Sequence, residues 1–288
     1  MPELPEVEVL RRQLFVTIVG KKFARVVIRV PKLCRPLMPS QLQKLLRNQK
    51  VTDVMRRAKL LIFKLSGGNF LVVHLKMTGQ LIYQPQRGML VVGGHPQQNG
   101  TLNLPNSYTH AIFSFTDRST LFFNDLRKFG WIRLVDNDQM ARLISRIGVD
   151  PLSATFTLPN FGMLLLCYPN RNIKHALMDQ KIFAGIGNIY ADESCFRAGV
   201  LPSRKISALK VSEIEKLHHW IPRILKLSIG KHGTSVDRYV HLDGSRGGFF
   251  PYLKVYGRSG LPCKMCGHPI RKMQLNQRGT HYCPRCQK

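Results

Sequence analysis

The chain has 288 residues and carries 44 lysines and arginines against 16 acids, a formal net charge of +28. Hydrophobic residues make up 44% of it, so packed cores can form and wholesale disorder is excluded. This length fits two domains of ordinary size. So large a positive charge is typical of proteins that bind a polyanion, and nucleic acid is the partner that we expect.

The sequence contains no candidate membrane span, which would need roughly 18 consecutive apolar residues. The run Leu60–Phe63, for example, ends at Lys64. A secretory signal would begin with positive charge, whereas this chain begins with Glu3, Glu6 and Glu8. We therefore expect a cytoplasmic protein that makes no membrane contact.

The first predicted element is a short helix, because Val7, Leu10 and Leu14 recur at helical spacing behind Pro5. Short β-rich runs follow and predict an antiparallel sandwich or barrel. These runs are Val26–Val30, Leu60–Leu65, Phe70–Leu75, Ala111–Thr116, Thr120–Phe123 and Trp131–Val135. The segment Gln84–Tyr108, which is rich in Gly, Pro, Asn and Gln, is predicted to be a long surface loop.

The pattern changes after Asp136, and we predict a linker over 137–150 that leads into a helical half. Ser212 and Glu215 fit a capping box ahead of an apolar stripe, which predicts a helix with a kink at Pro222. The last piece, 255–288, is predicted to be a module of its own.

Four cysteines crowd into this last piece. Two pairs with the spacing Cys-x-x-Cys, Cys263 with Cys266 and Cys283 with Cys286, are separated by sixteen residues. This spacing is typical of two knuckles that hold a tetrahedral zinc, and four thiolates leave no open position for a substrate. We predict one structural Zn²⁺. His268 and His281 are alternative ligands, although solvated histidines fit the ribbon better.

The amino terminus raises a chemical question, because initiator methionine is commonly removed when proline follows. Pro2 would then carry a secondary amine with a pKa near the α-amino value of about 7.7–8, so an appreciable fraction is neutral at physiological pH. Such an amine can attack a sugar carbon and give an iminium ion directly. The alternative is a proline that only starts the helix.

Several motifs, taken together and in their order along the chain, resemble the formamidopyrimidine-DNA glycosylases. This family comprises bacterial repair enzymes for 8-oxoguanine and is related to endonuclease VIII. The motifs are Met1–Glu8, Arg56–Lys59, His74–Gly79, Gly187–Tyr190 and the cysteine ribbon. Leu4 favours the formamidopyrimidine branch, since relatives of endonuclease VIII generally carry Gly there.

The resemblance implies an α+β fold with two domains. The first is a catalytic β-sandwich with an amino-terminal helix over residues 1–136. After the linker, residues 151–254 would form a helix-two-turns-helix bundle for DNA binding, with a lesion-covering loop at 243–252. Residues 255–288 would form the zinc ribbon.

The resemblance also implies a catalytic group of Pro2, Glu3 and Lys59. Pro2 would attack C1′ of an everted nucleotide, release the damaged base and drive β- and δ-elimination of the strand. Glu3 would act as the acid/base carboxylate, and Lys59 would bind phosphates beside the lesion.

DNA contacts are implied for six further residues. Three would bind phosphate: Lys174, Asn188 at a helix amino terminus, and Arg278 on the ribbon. Met77, Arg127 and Phe129 would fill the gap left by the everted base. Two positions depart from the family pattern here, because Leu126 and Lys128 replace a usual Pro and Arg. His232-Gly233-Thr234 also replaces the usual Gly-Gly-Thr.

The sequence therefore favours a bifunctional DNA glycosylase/AP lyase that removes 8-oxoguanine and formamidopyrimidines from double-stranded DNA. It would work as a monomer in a bacterial-type cytoplasm, on the nucleoid. Two alternatives remain. One is an endonuclease VIII-like preference for oxidised pyrimidines, and the other is a non-catalytic DNA-binding module on the same scaffold.

Overall fold

The computed structural model of the protein describes residues 2–87, 90–94, 103–234 and 247–288. It divides into two compact units. The first contains Met1–Ile144 and His232–Gly248, and the second contains Ser145–Lys231 and Phe249–Lys288. The domain limits taken from the sequence stay a prediction.

The first unit is a sandwich of two antiparallel sheets with a helix at its amino terminus. One sheet has the strand order β1-β7-β8-β5-β6 and the other β2-β3-β4-β9. The elements are α1 (Leu4–Ile18), β1 (Phe23–Ile28), α2 (Pro39–Leu46), β2 (Val51–Arg57), β3 (Leu60–Leu65), β4 (Phe70–His74), β5 (Gly79–Gln84), β6 (Val91–Gly94), β7 (Thr109–Phe115), β8 (Thr120–Asp125) and β9 (Trp131–Val135). The predicted antiparallel sandwich is confirmed.

One apolar core joins both sheets to α1. Leu10 and Leu14 of the helix pack in the same cluster as Phe63 of one sheet and Phe113 and Phe123 of the other. The register places the site motifs at one end of the sheets, because Leu60 pairs with His74 and Gly79 pairs with Asp125. The turns after β2, β4 and β8 therefore leave the sandwich at this end.

Helix α2 and strands β2, β5 and β6 of this unit were not predicted. Strand β6 lies inside the segment 84–108, which was predicted to be loop throughout, and residues 88–89 and 95–102 of that segment lie outside the described residues. Gly93 on β6 meets α1 closely, since a Cβ there would lie 2.2 Å from Cδ1 of Leu10. The close approach of the helix therefore requires glycine at position 93. Because glycine is not typical of a strand, the sequence pattern does not indicate β6.

The second unit contains helices and a two-stranded ribbon. Its elements are α4 (Leu158–Leu166), α5 (Ile173–Met178), α6 (Asn188–Ala198), α7 (Val211–Gly230), β10 (Arg271–Leu275) and β11 (Arg278–Tyr282). Helix α3 (Asn137–Ser145) precedes it, so the stretch that was predicted to be linker contains a helix. Strands β10 and β11 form an antiparallel hairpin.

The predicted start of α7 is wrong by two residues. Lys210 is the N-cap, and Glu213 Oε2 accepts the Lys210 backbone N–H at 2.8 Å, whereas Ser212 and Glu215 were expected to form the box. Two acids stand two residues apart, and either could complete a capping pattern, so the sequence alone did not separate them. The helix continues through Pro222.

No helix among the described residues is both long enough and apolar enough to cross a membrane.

Candidate functional site

Pro2 and Glu3 stand at the start of α1, and both are buried. Glu3 is the N-cap, and its backbone N–H donates to Oε2 of Glu6 at 2.9 Å. The other oxygen of Glu6 accepts the backbone N–H of Thr234 at 2.9 Å. Glu6 thus fixes the backbone that carries Glu3 to a segment more than two hundred residues away.

The departure at 232–234 leaves this contact intact. His232 has a φ of +60°, a left-handed conformation that favours glycine, and Gly233 follows with a φ of +84°. A Cβ on Gly233 would lie 3.3 Å from Cγ of Glu6. Glycine is therefore required more strongly at position 233, where a side chain would also crowd Glu6. Position 232 accepts a histidine, at the cost of some backbone strain.

Lys59 lies in the tight turn between β2 and β3 and is buried. Arg56 supports this turn, because its Nη1 donates to Ala58 O at 3.0 Å and its Nε donates to Glu8 at 3.1 Å. Burial raises the pKa of Glu8, but hydrogen bonds from Arg11 and Arg12 and the charge of Arg56 outweigh it, so this pKa lies below its ordinary value. The Glu8 carboxylate links the Lys59 turn to α1.

His74, for which the sequence analysis assigned no role, belongs to the same end of the sandwich. Its Nδ1 accepts the backbone N–H of Lys76 at 2.9 Å. Burial, followed by the charges of Lys76 and Lys59, lowers the pKa of His74 to about 3. The ring is therefore neutral at physiological pH and carries its hydrogen on Nε2. This histidine belongs to the motif His74–Gly79, which the sequence analysis noted. Its tautomer depends on the hydrogen bond from Lys76, which a sequence does not show.

The three residues expected to fill the gap of an everted base come together in the structure. Arg127 Nη1 donates to the sulfur of Met77 at 3.1 Å, and its guanidinium carbon lies 4.5 Å from the centre of the Phe129 ring. Phe129 is 50% exposed, which is unusual for so large an apolar side chain. The segment that carries Arg127 and Phe129 is a turn in which Lys128 has a φ of +55°.

Asp125 holds this turn, and the usual proline is not needed. Its Oδ1 accepts the hydroxyl of Thr78 and the backbone N–H of Arg127, the latter at 3.2 Å, and its Oδ2 accepts the N–H of Gly130 at 2.7 Å. The carboxylate is fully buried. Side-chain oxygens that accept backbone N–H groups two to five residues ahead stabilise turns in this way. Leu126 and Lys128 remain exposed, outside these bonds.

In the second unit, Lys174 is buried instead of facing solvent. Its Nζ lies 2.7 Å from Oδ1 of Asp192, and it donates to Thr280 Oγ1 at 2.8 Å and to Gly279 O at 3.1 Å. Asn188 begins α6 and donates from Nδ2 to the same Gly279 carbonyl at 3.0 Å. The structure therefore brings Lys174 and Asn188 to one hairpin of the ribbon.

Arg278 is the first residue of β11 and is exposed. The hairpin turn before it has positive φ at Asn276 and Gln277, as the tight primed turns require. Asn172 and His175 of the α5 region hydrogen-bond the Asn276 side chain at 3.1 and 3.0 Å. Side chains of the α5 region therefore hold the turn that precedes Arg278.

The four cysteines of the ribbon form a site that fits zinc. The sulfurs of Cys263, Cys266, Cys283 and Cys286 all lie within 4.8 Å of one another. Two of the separations are 3.9 and 3.5 Å, close to the edge of about 3.8 Å that a tetrahedron with Zn–S bonds of about 2.3 Å requires. His281 instead contacts Asp192. The predicted structural zinc site is confirmed.

The fold and the site define a class of two-unit proteins with a β-sandwich, a helical DNA-binding motif and a zinc finger. Residues 1–132 match the formamidopyrimidine-DNA glycosylase N-terminal domain, and residues 147–239 match the H2TH domain of the same enzymes. Residues 260–288 match a zinc finger found in FPG and IleRS.

Relatives agree over the full length. The chain is 39% identical to a formamidopyrimidine-DNA glycosylase of an Exiguobacterium species and 38% identical to that of Listeria innocua, with 100% of each chain covered. The chain belongs to the formamidopyrimidine-DNA glycosylase family.

Solved structures of proteins from this family have the same fold. The Lactococcus lactis Fpg bound to DNA with an abasic site superposes with a TM-score of 0.86 at 33% identity, covering 99% of both chains. The Thermus thermophilus MutM protein superposes with a TM-score of 0.84 at 36% identity, covering 99% of this chain and 98% of that one.

The neutral state of His74 predicts a pH dependence of stability. The unfolded histidine takes a proton near pH 6.5, whereas the folded one does so only near pH 3, so the unfolded state binds more protons between these values. Stability from this residue is present above pH 6.5 and is lost as pH falls. Relative to His74→Gln, the wild type should lose about 2 kcal/mol of unfolding free energy between pH 7.5 and pH 5. Urea unfolding at both values measures this, and parallel pH profiles for the two proteins would contradict it.

The contacts of Asp125 predict a large effect of its removal. Asp125→Ala should lower the free energy of unfolding by about 2–3 kcal/mol, because the buried N–H of Gly130 and hydroxyl of Thr78 lose their acceptors. Chemical denaturation measures the change. Asp138→Ala, at an exposed acid on α3, is the matched control and should cost less than about 1 kcal/mol. Equal losses would show that Asp125 does not hold the turn.

Proposed function

We propose that this chain is a base-excision repair enzyme, a DNA glycosylase with AP lyase activity that removes oxidised purines from double-stranded DNA. Relatives of known structure were solved with DNA containing an abasic site, Fapy-dG or carbocyclic 8-oxo-G. The enzyme acts as a monomer on the nucleoid of a bacterial-type cytoplasm.

One observation carries the proposal. Helix α1, which begins with Pro2 and Glu3, is tied to the turn of Lys59 through the ion pair between Glu8 and Arg56. This tie supports a catalytic group in which the proline, the carboxylate and the lysine act together. An ordinary helix start needs none of these ties.

Pro2 supplies the nucleophile once Met1 is removed, because a retained Met1 would turn the proline nitrogen into an amide. The nitrogen attacks C1′ of the everted nucleotide, the bond from C1′ to the base breaks, and the base leaves with a proton. The product is an iminium ion between Pro2 and the opened sugar. Loss of protons from the sugar then expels the 3′ and 5′ phosphates in turn, which is β,δ-elimination.

Glu3 moves protons in these steps, since it directly follows the nucleophile. It protonates the sugar ring oxygen as the ring opens and returns the proton later. Lys59 binds the phosphates that flank the lesion and holds C1′ in reach of Pro2. His74, neutral and with a donor on Nε2, offers a further hydrogen bond to the same backbone.

Binding of the DNA uses the exposed loops. Phe129 and Met77 enter the stack where the damaged base has left it, and Arg127 faces the orphaned partner base. Arg278 and Asn188 contact phosphates, and the zinc, held by the four cysteines, supplies the folding free energy of the ribbon that carries Arg278. Lys174 supports the hairpin that carries Arg278, because it donates to Thr280 Oγ1 and Gly279 O.

Covalent trapping tests the central step. With free Pro2, borohydride should reduce the iminium ion and leave a stable protein–DNA adduct on an 8-oxoguanine duplex, because only an imine or iminium is reduced in this way. Pro2→Gly should trap far less. Denaturing gels of the reaction measure the adduct, and strand cleavage by the wild type without any adduct would refute the mechanism.

Glu3→Gln separates binding from chemistry. This variant should bind the lesion duplex as the wild type does, yet excise the base about 100-fold more slowly, since its task is proton transfer. Single-turnover excision and equilibrium binding give the two quantities. Unchanged excision would remove Glu3 from the site, and intact-protein mass spectrometry must first show that Met1 is absent.

Arg127 should set the preference for the opposite base. Its guanidinium offers only donors, and cytosine presents two adjacent acceptors, N3 and O2, whereas adenine presents an acceptor beside a donor. Excision of 8-oxoguanine should therefore be faster opposite cytosine, by a margin of about 1–3 kcal/mol, and Arg127→Ala should narrow this margin.

The measurement compares single-turnover excision opposite both bases. Lys128→Ala, at the exposed neighbour, is the control and should keep the margin. A preference that survives in Arg127→Ala would contradict the assignment. A preference of the wild type for oxidised pyrimidines would favour the endonuclease VIII-like alternative, and binding without any cleavage would favour a DNA-binding module.

A further inference from the structure

Asp192, on α6, is a buried carboxylate whose two oxygens face different parts of the second unit. Its Oδ1 lies 2.7 Å from Nζ of Lys174, and the two side chains are 0% and 2% exposed. Its Oδ2 accepts the backbone N–H of His281 at 2.8 Å. A fully desolvated ion pair is costly and persists only where further hydrogen bonds complete it.

Lys174 completes the pair on the side of the hairpin. Its Nζ forms the ion pair with Asp192 Oδ1 and donates hydrogen bonds to Thr280 Oγ1 and Gly279 O. The Lys174 side chain is 2% exposed, so its charge does not face solvent. The expectation that Lys174 itself binds phosphate is therefore better replaced by an indirect role.

The contact continues to Arg278 through the Thr280 hydroxyl. While it accepts from Lys174, this hydroxyl donates to the carbonyl of Arg278 at 3.2 Å. Thr280 and Arg278 are two residues apart on β11 and project to the same face of the strand. An arrangement that fixes the Thr280 side chain thus fixes the face from which Arg278 extends.

Zinc alone cannot fix the face from which Arg278 extends. Cys283 lies five residues beyond Arg278, which is about 16 Å along an extended strand. The metal fixes the knuckles at that end, while the contacts of Lys174, Asn188 and Asp192 act at 279–281, between the knuckle and the tip. Asn172 and His175 hold the turn at Asn276, and the Asp192 group anchors the strand of Arg278 between that turn and the zinc knuckle.

We propose that Asp192 is a positioning residue for DNA binding. Acting through Lys174 and the backbone of His281, it sets the position of the hairpin β10–β11 and the direction in which Arg278 meets a phosphate. This inference rests on the proposed function, because it requires a DNA contact at Arg278.

A double-mutant cycle on the full-length, zinc-loaded protein tests this. The variants are Asp192→Asn, Arg278→Ala and both together, and the readout is the slope of log affinity against log salt for a duplex. Arg278→Ala should reduce the slope by about 0.9, the value for one cationic phosphate contact. Asp192→Asn should give the same reduction, and the double variant should lose no more than either single one.

Two further variants keep the test sharp. If Asp192→Asn does not fold with a full zinc content, Asp192→Leu combined with Lys174→Met removes the ion pair without leaving a buried charge. It should fold and show the same reduced slope. Glu213→Gln is the matched control, because Glu213 also forms an ion pair in this unit, with Arg204 at 2.5 Å, but its backbone contact is to Lys210 at the start of α7. Its slope should equal that of the wild type.

A full slope in the Asp192 variants would overturn the proposal, as would a double variant whose loss is the sum of the single losses, about 1.8. A slope that does not change in Arg278→Ala would also overturn it. The undamaged duplex is measured alongside the lesion duplex. Failure of the wild type to excise any lesion would refute the proposed function, while the cycle on undamaged DNA would still decide the role of Asp192.

Discussion

Buried carboxylates that accept backbone N–H groups hold the functional segments of this protein. Four of the buried acids in the described part of the chain hold segments next to candidate site residues or the ribbon: Glu6, Asp125, Asp192 and Glu193. A charge without water is tolerated only where donors or cations replace that water. Each of the four therefore imposes a geometry on the segments that supply its donors, and those segments carry the candidate site residues.

Acidic and basic side chains therefore have different roles, because the buried acids hold the segments that carry the site residues. Glu6 fixes the backbone behind Pro2, Asp125 fixes the turn of Arg127, and Asp192 fixes the hairpin of Arg278. Glu193 accepts three consecutive N–H groups at 254–256, just before the ribbon. Burial raises the pKa of Glu193 despite these bonds, so desolvation is the larger effect there. The cations on these segments, Arg127 and Arg278, are exposed and can meet a polyanion.

Sequence could predict what is encoded locally. The zinc site follows from the spacing of four cysteines, the Pro-Glu start follows from its motif, and sandwich strands such as Leu60–Leu65 follow from short β-rich runs. The anchors could not be predicted, because an acid in a sequence looks solvated and its donors are 89 residues away for Asp192 and 228 for Glu6. For the same reason the sequence did not indicate the buried ion pair of Lys174, which was expected to bind phosphate. Strand β6 was missed because its Gly93 serves the close approach of α1.

Amide hydrogen exchange on the wild-type protein tests this account most directly. The amides of Gly130, Thr234, Val255 and His281 lie in turns and loops or at the ribbon, and each donates to one of the four carboxylates. If the carboxylates hold these segments, the four amides exchange slowly, as amides in the central strands do. Exchange of these four amides as fast as that of unprotected turns would contradict it.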